Sequence, residues 1–109
     1  MNISENIKKI HEEVTTWRHE LHANPELCYE ENWTAEFIAE KLKSFGIEVH
    51  NKIGKTGVIG VLKGSNSQEH KSKRSIGLRA DMDALPIEEE NDFNYKSKFS
   101  GKMHACGHD

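Results

Sequence analysis

Apolar residues open the chain at Ile3, Ile7, Ile10, Val14, Trp17 and Leu21, at steps of four, three, four, three and four. That is the stripe of an amphipathic helix. The spacing predicts a helix ending near Ala23, because Pro25 disfavours helical geometry at Asn24. The stripe covers under three heptads, so it predicts packing on a sheet in preference to a coiled coil. A second helix is predicted from Asn32 as N-cap, with Trp33, Phe37, Ile38, Leu42 and Phe45 inward and Gly46 as the left-handed stop. The period then shortens. Residues 47–50 and 58–63 read as strands around a turn at 54–57, an arrangement that suits a hairpin. Residues 65–74 contain no apolar member and read as an exposed connection. Residues 75–83 read as a third strand, with Ile76, Leu78, Ala80 and Met82 on one face and Arg79, Asp81 and Asp83 on the other. After Pro86 some twenty residues show no sustained period and include the acidic run Glu88, Glu89, Glu90. A loop that long in a compact domain is usually functional or disordered.

Composition narrows the picture. The chain has 109 residues, 35% of them hydrophobic and 30% charged, with a mean hydropathy of −0.77. This suits one domain or part of one with a thin core. No apolar run approaches the roughly 20 residues needed to span a bilayer, and the N-terminus lacks the apolar region of a signal peptide. Two cysteines, Cys28 and Cys106, are too few for a disulfide framework, so a cytoplasmic location is expected. Charge is uneven: residues 1–50 carry five basic against ten acidic side chains, residues 51–80 seven against one, and residues 81–109 three against seven. The basic stretch holds no aromatic residue, which points to a solvated loop instead of a nucleic-acid surface.

Two constellations could carry chemistry. Cys106 and His108 stand two apart; on an extended segment they face the same way about 6.6 Å apart, a span one metal ion can bridge. A thiolate and a neutral imidazole suit zinc and similar metals, and Gly107 lets the backbone bend between them. His104 shares the spacing and could be a third ligand or a donor to one. The density of this cluster favours metal over a Cys–His nucleophile pair or a buried cysteine beside surface histidines. Asp81 and Asp83 form the second constellation, at the carboxyl end of the predicted third strand, where open α/β sheets build their sites. Two such close carboxylates repel unless a cation, an arginine or a shared proton relieves them. A solvated turn is their bland alternative.

Other residues read more plainly. His19 and His22 suit the carboxyl end of the first helix and its dipole. Arg79 most simply neutralises Asp81. Trp17 and Trp33 read as core, and Cys28 as a small buried hydrophobe.

Together, RADMDALPIEE at residues 79–89 and GKMHACGHD at 101–109 resemble the metal-dependent amidohydrolase and peptidase family of hippurate hydrolases, aminoacylase-type N-acyl-amino-acid amidohydrolases and auxin-conjugate hydrolases. WRHELHANPELCYEE at 17–31 resembles the opening signature of the same group. The resemblance implies an α/β fold: the N-terminal part of a zinc-peptidase-like catalytic domain, two helices followed by about three strands of an incomplete sheet. Residues 1–109 would then be the leading portion of that domain, with its remainder and the dimerisation domain outside this sequence.

The resemblance also implies Cys106 and His108 as metal ligands, Asp83 as a catalytic residue, and Asp81 and His104 as supporting groups. Many relatives carry His-x-Asp at the strand end; here Asp81 stands in the His position, and the Cys takes over as ligand. The implied cofactors are divalent metal ions, two per complete site, from among Zn, Mn, Co and Ni. The implied substrate is a small N-acyl amino acid, cleaved at its amide by metal-activated water, with neither nucleic acid nor membrane as partner and with homo-oligomeric full-length relatives. The general base and further ligands of such enzymes come from later segments, so the 109 residues alone are expected to be inactive. A small non-catalytic metal-binding protein and a non-functional truncated product are the competing expectations.

Overall fold

A computed structural model describes residues 3–64 and 75–107. Helix α1 spans Ile3–Ala23 and helix α2 spans Asn32–Ser44. Strands β1, Glu48–Ile53, and β2, Gly57–Val61, pair antiparallel, with Glu48 opposite Val61 and Ile53 opposite Gly57. The hairpin expectation therefore holds. The register slips between His50 and Ile53, where Lys52 takes a positive φ of 60°. Gly57 closes the hairpin because only glycine fits: a Cβ there would lie 2.5 Å from the Ile53 carbonyl oxygen. Gly46, at φ 73°, terminates α2 as expected.

The start of α2 corrects the N-cap assignment. Asn32 is the first helical residue and Glu31 precedes it without a side-chain capping bond. The capping acceptor comes from further back. Glu26 accepts hydrogen bonds from the Trp33 N–H (3.1 Å), the Thr34 N–H (2.7 Å) and the Thr34 hydroxyl (2.7 Å). A carboxylate here answers both the orphan N–H groups and the positive end of the helix dipole. Pro25 is fully buried beside it.

The interior is small and partly polar. Ala23, Pro25, Ala39 and Ala84 are the buried apolar residues among the described ones, accompanied by buried Glu31, Thr34 and Thr56. The buried polar groups are mutually satisfied: Thr56 donates its hydroxyl to Glu31 at 2.7 Å while Thr34 donates to Glu26. Trp33, Phe37, Ile38 and Leu42 are only half-buried and Phe45 is exposed, so α2 buries its small residues more deeply than its large ones. Trp17 and Trp33 are likewise half-buried, not core. Trp17 lies 5.9 Å from Phe45 and under the Lys41 ammonium, and Trp33 stacks on Phe37 at 5.4 Å. Cys28 is exposed, contrary to its expected burial.

Two larger expectations fail for one reason. The α1 stripe does not pack on a sheet: Ile7, Ile10 and Val14 are exposed. Residues 75–83 form no strand, and Ile76 and Leu78 are 92% and 96% exposed. Alternation makes a strand only where a neighbour supplies its ladder, and among the described residues no strand pairs with this segment. The radius of gyration, 16.7 Å, exceeds the roughly 13 Å of a compact chain of this length. The exposed connection expected at 65–74 lies outside the described residues.

Candidate functional site

The two constellations approach each other through a short antiparallel bridge. The Leu85 N–H donates to the Met103 carbonyl at 2.9 Å and the Met103 N–H returns to the Leu85 carbonyl at 3.1 Å. Asp83 lies two residues before this bridge and His104 directly after it. A second tie anchors the acidic side: the Ala84 N–H donates to the Glu26 carbonyl at 2.7 Å, with Leu27 and Ala84 paired in parallel. Glu26 thus holds α2 by its carboxylate and the bridge residue Ala84 by its backbone carbonyl.

Asp81 is exposed and accepts a hydrogen bond from the Arg79 guanidinium, as expected from their shared face. Asp83, His104 and Cys106 are each half-buried. His108 lies outside the described residues. Among the described residues no group of three His, Cys, Asp or Glu side chains is arranged to hold a metal ion. The donor chemistry of Cys106 and His104 suits a metal of zinc's character, but the described residues do not complete a ligand set.

Between Leu85 and Met103 the chain makes a long irregular excursion, and side chains organise it. Glu88 accepts from the Ser100 hydroxyl at 2.9 Å and from the Gly101 N–H. Glu89 accepts from His22 Nε2 at 2.9 Å, from Asn91 Nδ2 at 3.0 Å and from the Ser97 N–H. The Glu89 side chain is 3% exposed and that of His22 13%. Burial alone would raise the Glu89 pKa, yet the Ser97 N–H, His22 and Asn91 donors outweigh it and hold the carboxyl down at about 2. A backbone bond from the Lys98 N–H to the Ala23 carbonyl, 3.0 Å, further fastens the excursion to the end of α1.

His22 is the hub of this region. Its ring meets Phe93 at 5.7 Å, Tyr95 at 5.9 Å and His104 at 6.3 Å between centroids. Tyr95 in turn stacks on His19 at 3.6 Å and on Phe93 at 4.1 Å. The helix-end reading of the two histidines therefore missed their tertiary partners. The acidic run was visible in the sequence, but nothing local paired Glu89 with a histidine 67 residues away.

Comparison with known proteins agrees with the motifs. Residues 77–109 match the family model described as Peptidase family M20/M25/M40. The chain is 52% identical over 109 residues to the hippurate hydrolase of Campylobacter jejuni, covering all of this chain and 27% of that protein. It is 48% identical over 109 residues to the N-acyl-L-amino acid amidohydrolase of Geobacillus stearothermophilus, covering 96% of this chain and 28% of that one. The fold is similar to the crystal structure of the Bacillus subtilis YXEP protein, described as a dinuclear metal binding peptidase of the M20 family. The TM-score is 0.80 at 39% identity, over 93% of this chain and 27% of that one. The chain thus spans roughly a quarter of the length of these relatives. No helix among the described residues is long and apolar enough to cross a membrane.

Proposed function

From its similarity to the M20/M25/M40 peptidase family we propose that this chain supplies the leading part of an amidohydrolase catalytic domain. The reaction is hydrolysis of the amide between an acyl group and an amino acid, with hippurate-like or N-acetyl amino acids as substrates. The observation that carries this reading is the Leu85–Met103 bridge. It ties the segment that carries Asp81 and Asp83 to the segment that carries His104 and Cys106.

In this reading Cys106 and His108 hold divalent metal, His104 flanks them, and Asp83 orients the ligand side. When bound, the metal supplies Lewis acidity, polarising the amide carbonyl and activating water. The chain's own residues do the placing. Leu85 and Met103 fix the spacing of the two segments, Arg79 donates to Asp81, and the Glu26 carbonyl anchors Ala84.

Replacing the corresponding part of the Campylobacter hippurate hydrolase with residues 1–109 tests the reading. The chimera should release amino acid from hippurate or N-acetyl amino acids in the presence of Zn²⁺, Mn²⁺ or Co²⁺, and Cys106→Ser within it should reduce turnover to background. A folded chimera with no hydrolysis of any N-acyl amino acid would sink the proposal. Residues 1–109 alone, assayed in parallel, should give no turnover.

A further inference from the structure

The apolar stripe of α1 is left open by the fold. Ile7, Ile10 and Val14 are exposed, and neither α2 nor the hairpin packs extensively on the helix. Towards its carboxyl end α1 does meet its own chain, where Trp17 lies 5.9 Å from Phe45 and His19 stacks on Tyr95 at 3.6 Å. Ahead of Trp17 the stripe faces water. A contiguous apolar strip rimmed by charges marks an interaction surface.

The spacing tells what kind of partner fits. A helix that packs on a core carries a broad face of three or four apolar positions per two turns, whereas a strict alternation of four and three is the narrower seam that a second helix fills. On this seam Ile7 and Val14 take the first core position of the heptad, and Ile10 and Trp17 the second. Glu13 and Arg18 then flank it five residues apart, the separation at which such residues meet across a parallel pair of helices. Both are exposed, and neither makes an ion pair with its own chain among the described residues. Arg18 reaches only over the Tyr95 ring, 5.5 Å from its centre.

We propose that α1 is a self-association surface, on which the helices of two copies of this chain pair in parallel along Ile7, Ile10 and Val14. Glu13 of each copy meets Arg18 of the other, so a two-fold axis satisfies both charges twice. An antiparallel pair would set Glu13 against Glu13 or Glu20 and repel. The seam ends at Trp17, where Phe45 of the same chain takes over. So short a seam makes the dimer concentration-dependent, not permanent. The inference does not depend on the hydrolase reading.

Sedimentation equilibrium of the 109-residue chain measures the association. The chain should pass from monomer to dimer as concentration rises. Ile10→Lys should leave it monomeric with the far-ultraviolet helix signal retained, since Ile10 is exposed and its loss costs the fold little. Glu13→Arg sets arginine against arginine on both sides of the pair and should weaken the dimer about tenfold. Arg18→Glu should do the same, and the two changes together should restore the dimer. Ile76→Ser combined with Leu78→Ser, on a different exposed segment, should change nothing.

A chain that stays monomeric at every concentration overturns the proposal. So does a dimer indifferent to Ile10→Lys, or one lost in the Ile76 and Leu78 variant, because the contact then lies elsewhere. Tighter association of Glu13→Arg, or a double charge variant as weak as the single ones, overturns the parallel pairing.

Discussion

The unit formed by α2 and the β1–β2 hairpin and the irregular segment 81–107 are ordered by different physics. In the first, backbone pairs with backbone through helical bonds and a two-strand ladder, and glycines close the turns. In the second there is almost no ladder beyond Leu85–Met103. Backbone N–H groups of Ser97 and Gly101 are taken up by the carboxylates of Glu89 and Glu88. Order in the first region is local and periodic; order in the second depends on particular side chains arriving from elsewhere. The second region carries the candidate chemistry. An irregular backbone can place side chains where a strand or helix cannot, provided its polar groups find partners.

The largest expected effect strikes the one residue shared by both regions. Glu26→Ala leaves the Thr34 N–H and hydroxyl and the Trp33 N–H without their acceptor, with Thr34 only 1% exposed. The cost should be about 3 kcal/mol. A urea melt should show it, and hydrogen exchange should rise both in the first turn of α2 and around Ala84. Exchange confined to α2 would mean that the regions are not coupled through Glu26.

Gly57→Ala should act on the first region alone. The new Cβ would stand 2.5 Å from the Ile53 carbonyl oxygen, a backbone atom that can move only by opening the hairpin. About 2 kcal/mol is expected, with faster exchange in β1 and β2 and unaltered protection at Ser97 and Met103.

Acid should act mainly on the second region. The Glu89 pKa is held at about 2 against an ordinary 4.5, so its contribution is complete above pH 4.5. Below that the unfolded carboxyl gains a proton before the folded one does, and stability falls as pH drops from 4.5 towards 2. The urea midpoint measured across that window should slope downwards in the unaltered chain and flatten in Glu89→Gln. An unchanged slope in the variant would show that Glu89 does not stay charged in the fold.

The smallest effect belongs to the exposed edge of the hairpin. The Lys63 ammonium, 3.2 Å from Glu48, and its charge hold the Glu48 pKa below the usual range. Both side chains are largely in water. Glu48→Gln should therefore shift the urea midpoint least of these variants, by no more than the error of the measurement. A larger loss would blur the contrast, because it would mean that side-chain charge also organises the ladder.

Much of the first region was legible beforehand. The 3.6-residue spacing located α1 and α2, Pro25 and Gly46 marked where each stops, and the switch to period two around a glycine turn announced the hairpin. The Asn32 cap was misread because the true acceptor, Glu26, lies seven and eight residues from the N–H groups it serves. The alternation at 75–83 is real, but without a strand hydrogen-bonded to it the segment stays unpaired, with its isoleucine and leucine in water. Cys28, flanked by Leu27 and Tyr29, looked buried by its neighbours; the turn there, with Tyr29 at φ 65°, turns it outward.

The resemblance to the M20/M25/M40 family could be read from local order, because a motif is a matter of spacing along the chain. Helix periodicity was equally local. Which groups meet across the chain was a different matter. The Leu85–Met103 bridge, the capping of α2 by Glu26 and the pairing of His22 with Glu89 join positions 18, 7 to 8 and 67 residues apart. A hydrogen bond depends on distance and direction in space, and a buried carboxylate stays charged only where donors converge on it. Only the folded chain brings those donors together.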